Sequence, residues 1–510
     1  MRKYVRQKAY DRESAEAIVP GALTGKGLMS KQSESLQARC GHFETEDTPN
    51  KQKRTSAEAE GRREDSGQLY KQKEEQQVEL IDRILSDESI KMAIKAVKSN
   101  KGAAGVDKMP VNELDEYFQK HGEEIKAQIR AKKYVPQPVR RVYIPKANGK
   151  QRPLGIPTVV DRVIQQTVAQ VLTRGYERYF SENSCGFRPG RDCHMAIGKV
   201  LGYLNEGYEW VVDLDIEKYF DTVNHDKLVS ILRERINDAT TLHLIRAFLK
   251  AGVMEDGLVS ASTEGVPQGG PLSPVLSNVY LDKLDKELES RGLCYVRYAD
   301  DCNIFVKSEK AADRVRASVT SWLERKLRLK VSATKTKVVR PSKSVFLGFT
   351  FWKGKDGWKA TPAKDRKAKL YDKTREILCR KRAAAKPLEI TFKRLNWLMR
   401  GWINYFGIGS MKGFMQQYGP WMRHKVRVVI LKQWKKPKTI YRNLQKLNRY
   451  GKCGFSDEDI LKVANSRLGW YRQCAGDVVN YLLSPKILGT ENKDRPGLVD
   501  PMVYYLARFA

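Results

Sequence analysis

Tyr295-Val-Arg-Tyr298-Ala299-Asp300-Asp301-Cys302-Asn303-Ile304-Phe305-Val306 is the stretch whose reading decides the fold of this chain. Two adjacent carboxylates sit between short runs rich in Val, Ile, Phe and Tyr, residues that favour strands. The pattern predicts a tight hairpin with Ala299-Asp300-Asp301 at its tip. Side chains alternate faces along a strand, so Asp300 and Asp301 point apart and one of them faces a catalytic cleft. Taken alone, two aspartates at a tip also fit a solvated turn; other parts of the chain argue for chemistry.

Upstream, Trp210-Val-Val-Asp213-Leu-Asp215-Ile-Glu-Lys-Tyr-Phe220-Asp221 begins as a buried strand and then turns polar and aromatic. A sheet holds a carboxylate at the end of a strand rigidly, as a metal site requires. If this strand lies beside the hairpin, Asp215 and Asp300 can share cations. Two Mg²⁺ ions ~3.5–4 Å apart between carboxylates are the recurring machinery of nucleotidyl transfer. Mg²⁺ keeps water and phosphate oxygens as ligands, so a few aspartates suffice. Between the two acidic strands lies Gly265-Val-Pro-Gln268-Gly269-Gly270-Pro-Leu-Ser273-Pro274. Its glycines allow backbone to approach a ligand closely, and Ser273-Pro274 reads as N-cap and first residue of a helix.

Further out, Tyr134 to Gly155 carries two strand-like runs around Asn148-Gly149, a strong hairpin signal. Lys146 and Arg152 flank the turn, and a point-charge ammonium with a forked guanidinium suits a triphosphate. A solvated basic hairpin is the plainer alternative. Leu80, Ile81, Ile84 and Leu85 repeat at helical spacing, as do Ile90, Ala93, Ile94 and Val97; residues 158–180 and 311–327 also read as helices. Cys185-Gly-Phe-Arg188-Pro-Gly-Arg191 is a loop with two arginines, and residues 345–351 read as a strand. Residues 1–70 are polar and form an expected flexible leader.

The 94 Lys and Arg outnumber 60 Asp and Glu, a net charge of +34 that points to nucleic acid. No stretch approaches the ~20 apolar residues of a membrane span, and no apolar anchor favours a membrane-surface protein. Eight scattered cysteines without zinc spacing suggest reduced thiols in a cytoplasmic protein. The six scattered histidines argue against an HNH nuclease module. From 361 to 450 there are 24 Lys and Arg against 4 Asp and Glu, and 401–450 has no acidic residue. Trp397, Trp402, Tyr405, Phe406, Trp421 and Trp434 are interleaved with those cations. Helical spacing assigns many of these aromatics to a core, leaving a basic face for the phosphates of structured RNA or an RNA–DNA duplex.

Together these motifs, in fixed order over roughly residues 72–485, resemble the reverse transcriptase–maturases encoded by bacterial group II introns, most like the group IIC class. The series includes the Lys146/Arg152 hairpin, Cys185–Arg191, Asp215–Asp221, Val266–Pro274, Tyr298–Asp301, Lys335-Thr336 and Phe346-Leu347-Gly348-Phe349. It ends on Arg400-Gly-Trp-Ile-Asn-Tyr-Phe406 and Lys432-Gln-Trp-Lys435. The resemblance implies an α+β right-hand polymerase, with fingers and palm over 71–361 and a helical thumb or maturase domain over 362–450. Residues 451–510 would be a C-terminal segment, a candidate DNA-binding region without HNH endonuclease.

It implies RNA-directed DNA synthesis with Asp215, Asp300 and Asp301 holding two Mg²⁺ ions, Mn²⁺ being able to substitute. Lys146 and Arg152 would grip the dNTP, Phe220 would exclude a ribose 2′-hydroxyl, and Gln268 and Gly269 would line the nascent base pair. Lys335, or Lys337 close by, would meet the departing pyrophosphate, and Phe346–Phe349 would grip the primer. Arg400, Lys412, Arg423, Lys425, Lys432, Lys435 and Lys436 would bind RNA. The implied partners are the group II intron RNA, an RNA template with a DNA primer, dNTPs and a DNA target for retrohoming. A binding-only splicing factor and a domesticated or defence-associated reverse transcriptase are the rival readings.

Overall fold

The computed structural model describes residues 79–145, 149, 151–491 and 495–509. Its strands are β1 Val139–Pro145, β2 Gln151–Ile156, β3 Trp210–Asp215, β4 Val253–Glu255, β5 Leu258–Ser260, β6 Cys294–Tyr298, β7 Asp301–Val306, β8 Lys337–Val339, β9 Phe349–Gly354 and β10 Gly357–Pro362. The chain divides into two compact units.

The first unit combines residues up to 180 with 217–283 and 327–329. Its sheet runs β2-β1-β4-β5. The expected hairpin is present: β1 and β2 pair antiparallel with Pro145 opposite Gln151, and Gly149 adopts φ 77° in the turn between them. Lys146 lies outside the described residues, as does the 1–70 leader. The periodicity at Ala93, Ile94 and Val97 produces the helix Asp87–Ser99, started by Ser86, whose hydroxyl accepts from the Ser89 amide. Its apolar face packs with Leu114, Val159 and Val163. The helix expected over 158–180 runs Val159–Tyr176 and continues as a 3₁₀ turn.

The second unit holds residues 181–216, 284–326 and 330 onward. Its sheet is antiparallel in the order β6-β7-β3-β8. The acidic hairpin is tighter than its three-residue reading. Tyr298 pairs with Asp301, so only Ala299 and Asp300 form the turn and Asp301 already begins β7. Residues 345–351 are also not one strand. Phe346 and Phe349 exchange both backbone hydrogen bonds, at 3.0 and 2.9 Å, around Leu347 (φ 51°) and Gly348 (φ 81°). That two-residue turn precedes β9, because consecutive positive φ values break a strand.

One core of this unit joins Val211, Val296 and Phe305 of the sheet to Phe346, Phe349, Ile403 and Phe406. A second is built mainly from helices and gathers Phe392, Leu395, Met399, Tyr418, Met422, Val426 and Leu431. Trp402, which the helical repeat assigned to a core, packs against it, as do Trp421 and Trp434.

Candidate active site

Asp215 ends β3 and stands opposite Asp301, the first residue of β7. Asp300 is the neighbouring turn residue. The three carboxylates singled out in the sequence therefore meet at one end of one sheet. The turn that carries Asp300 is unusual, because Ala299 takes φ 59° while 5% exposed. Such a conformation costs a residue with a β-carbon roughly 1–3 kcal/mol and persists only where the surroundings impose it.

Asp301 is exposed to solvent at the end of the sheet. Protein nonetheless surrounds it closely enough that burial, then the charges of Asp300, Asp213 and Asp215, push its pKa up to about 7. This crowding of like charge calls for a cation. The structure places one there: the Lys335 ammonium lies 3.0 and 3.2 Å from the two Asp215 oxygens. Lys337 instead stands opposite Asp213 across the β3–β8 pair, so the contact with Asp215 belongs to Lys335. The donors are all carboxylate oxygens, which suit a hard divalent cation. Among the described residues no three such groups already form a cage on their own. An ion here would complete its shell with water or phosphate oxygens, as Mg²⁺ does.

Asp213 was not singled out from sequence. It shares a strand face with Asp215, two residues away, and faces Asn303 of β7. Burial pushes its pKa up to about 6, and it accepts a 2.7 Å hydrogen bond from the Ser344 hydroxyl. The Asn303 amide in turn donates to Ser344. The signal was available: Asp-Leu-Asp at period two places both acids on one side.

Four candidates lie in the first unit. Arg152 is exposed on β2 opposite Ile144. Its strand is tied to the glycine loop, since the Gly155 amide donates to the Gln268 carbonyl at 2.7 Å. Gly269 adopts φ 124°, and a β-carbon on it would meet the Gly155 carbonyl oxygen at 2.5 Å. Only glycine fits there. Gln268, Gly269 and the Arg152 strand are thus brought together. Phe220 is half-buried edge-on to Tyr219, and its carbonyl accepts from Val266 at 2.6 Å. The Ser273 hydroxyl donates to the Pro267 carbonyl, tying the loop back on itself.

Phe346 and Phe349 have no exposed surface. They anchor the turn from inside and leave Leu347 at its apex, where its carbonyl accepts from the Tyr405 hydroxyl at 3.0 Å.

The cations of the basic helices differ in how they are held. Arg423 is largely buried and pairs with Asp500 at 2.6 Å, so its charge is spent inside the protein. Lys425 lies over the rings of Tyr471 and Trp421, and Lys432 is half-buried. Arg400, Lys412, Lys435 and Lys436 are exposed. Trp397, unlike the other thumb tryptophans, is 70% exposed. It shares its helix face with exposed Lys393, Arg394 and Arg400, three or four residues away.

No helix among the described residues is long and apolar enough to cross a membrane. Residues 144–351 match the family described as reverse transcriptase (RNA-dependent DNA polymerase), and residues 367–451 match the group II intron maturase-specific domain. Protein YkfC of Escherichia coli K12 is 35% identical over 310 residues, 53% of this chain and 81% of YkfC. The group II intron-encoded protein LtrA of Lactococcus lactis subsp. cremoris is 42% identical over 199 residues, 38% of this chain and 32% of LtrA. A solved partial Cas6-RT-Cas1–Cas2 complex matches at 26% identity over 49% of this chain and 43% of that one, with a TM-score of 0.33.

Proposed function

Because the chain belongs to the reverse transcriptase family, in the branch that carries a group II intron maturase-specific domain, we propose that Asp215, Asp300 and Asp301 bind two Mg²⁺ ions for copying RNA into DNA. The helical thumb would bind the group II intron RNA that the enzyme helps to splice and later to insert into a DNA target. The observation that carries this reading is the β3–β7 register, which sets Asp215 opposite Asp301 beside the Asp300 turn. Reverse transcriptases use divalent metal ions; when bound, these activate a primer 3′-hydroxyl and stabilise the leaving pyrophosphate.

The remaining work falls to the chain's own groups. Arg152 and Lys146 would grip the triphosphate, and Gln268 and Gly269 would offer backbone to the nascent base pair. Lys335, which neutralises Asp215 here, would move to the pyrophosphate side once cations occupy the carboxylates. The Leu347 apex would meet the primer through its backbone. Exposed Arg400, Lys412, Lys435 and Lys436 would take RNA phosphates, and Trp397 would offer a ring to an unpaired base. Arg423 is left out of that surface by its pairing with Asp500. Against a binding-only splicing factor stand the clustered carboxylates, whose mutual repulsion serves no purpose without cations.

The test is primer extension on an RNA template with each aspartate replaced in turn. Two further outcomes are expected. Phe220→Ala relaxes sugar selection, lowering the preference for dNTP over rNTP by about tenfold or more in single-nucleotide addition. Unchanged selectivity removes Phe220 as the gate.

The second concerns pH. Asp301 sits with a pKa raised to about 7. In metal-free protein its protonated form contributes stability in full below the ordinary aspartate value of ~3.9, and this is lost as pH rises through about 7. Cation binding needs the deprotonated form, so the half-saturating Mg²⁺ concentration falls as pH rises from about 6 to 8. Thermal melting with and without Mg²⁺ across that range reads both effects. A Mg²⁺ requirement independent of pH excludes Asp301 from the site.

A further inference from the structure

Among the described residues, Arg297 is the largest side chain with under 2% of its surface exposed, and it lies two residues before Ala299 of the Ala299–Asp300 turn. Its Nε and Nη2 donate to the two oxygens of Asp285, at 2.7 and 2.5 Å. Asp285 is itself fully buried, near the end of the helix Ser273–Ser290. The remaining guanidinium nitrogen donates to the carbonyl of Ala299 at 2.9 Å. One rigid fork therefore joins a buried helix carboxylate to the backbone of the turn that displays Asp300.

The loop beginning at Cys185 supports the turn from the other side. The Cys185 amide donates to the Arg297 carbonyl at 2.8 Å, and the Arg297 amide donates to the Asn183 carbonyl at 2.9 Å. Gly186 presses directly on the turn: a β-carbon there would lie 2.3 Å from the Ala299 nitrogen. Ala299 is thus confined through its carbonyl and its nitrogen, and this accounts for its left-handed conformation.

We propose that Arg297, Asp285 and Gly186 form a buried cradle that positions Asp300 for metal binding, Arg297 and Asp285 acting as positioning residues for polymerisation. The inference rests on the reading of Asp300 as a metal-binding carboxylate. Arginine is required because the task needs three donors in a fixed plane; a lysine ammonium can satisfy Asp285 but has no planar fork to hold the Ala299 carbonyl as well. A pair serving only to fill the core could be exchanged for apolar side chains of similar volume without functional loss.

The experiment follows from that contrast. Arg297→Met combined with Asp285→Leu removes both buried charges together. The expected double variant melts near the parent and binds a primer–template duplex with parental affinity. Its KM for dNTP stays within about twofold while kcat falls by about 10- to 100-fold, the usual cost of losing an outer-shell partner. In Mn²⁺ titrations of the primer–template complex followed by electron paramagnetic resonance, half-saturation rises by about tenfold. A folded double variant with parental kcat and Mn²⁺ affinity overturns the proposal. If the double variant melts far below the parent, Arg297→Lys takes its place and is read by the same two measurements, with the same expected and overturning results. Asp300→Ala run alongside separates the two readings. Activity in Asp300→Ala sinks the metal-site assignment, whereas an inactive Asp300→Ala beside a fully active double variant sinks the cradle alone.

Discussion

Asp300→Ala abolishes Mg²⁺-dependent primer extension on an RNA template, by about a thousandfold or more, while binding of group II intron RNA stays at the parental level. Asp300 stands in a two-residue turn whose shape is imposed by Ala299, Gly186 and Arg297. Truncating a half-exposed side chain there leaves the Arg297 and Gly186 contacts with Ala299 in place, so the fold and RNA affinity are retained. It also removes one of the like charges that raise the pKa of Asp301. The Asp301 pKa therefore moves back toward the ordinary range, and the metal-free variant becomes less sensitive to pH between about 6 and 8. Loss of activity together with an equal loss of RNA binding would point to misfolding and count against the site.

The second large effect concerns the thumb. Replacing Lys432, Lys435 and Lys436 together by Glu weakens intron RNA binding by about 100-fold at physiological salt. It also flattens the dependence of log affinity on log salt by about two to three, near one for each lost phosphate contact. Lys435 and Lys436 are exposed just past the end of the helix Lys412–Trp434, and Lys432 is half-buried within its last turn. Lys432 is expected to contribute least. Arg423→Ala is the matched control: its guanidinium is paired with Asp500, so its loss lowers the melting temperature and leaves the salt slope in place. If filter binding across a salt series shows the triple variant with parental slope and affinity, RNA docks elsewhere on the chain.

Much of this was legible along the chain. The β1–β2 hairpin, the helix Asp87–Ser99 and the acidic hairpin of β6 and β7 follow from turn residues and apolar periods, which are local. Where expectation and structure part, a distant contact intervened. Residues 345–351 read as one strand because their composition is apolar; the two buried phenylalanines close a turn around Leu347 and Gly348 instead. Trp397 and Trp402 lie on one helix, yet Trp397 is 70% exposed whereas Trp402 packs against the helical core. Arg423 reads as one more cation until Asp500, 77 residues away, is brought beside it.

The order of the motifs was enough to reveal the resemblance to reverse transcriptase–maturases, and that resemblance, not spacing alone, implied templated nucleotide addition. Only the folded chain decided how those groups are held. Asp213 joins Asp215 on one strand face, Lys335 supplies the cation on Asp215, and Arg297 carries the turn from a buried aspartate. The reason is physical: residue types and periods specify what each segment is able to do, but burial and charge pairing depend on which remote segments pack together, and no local pattern records that.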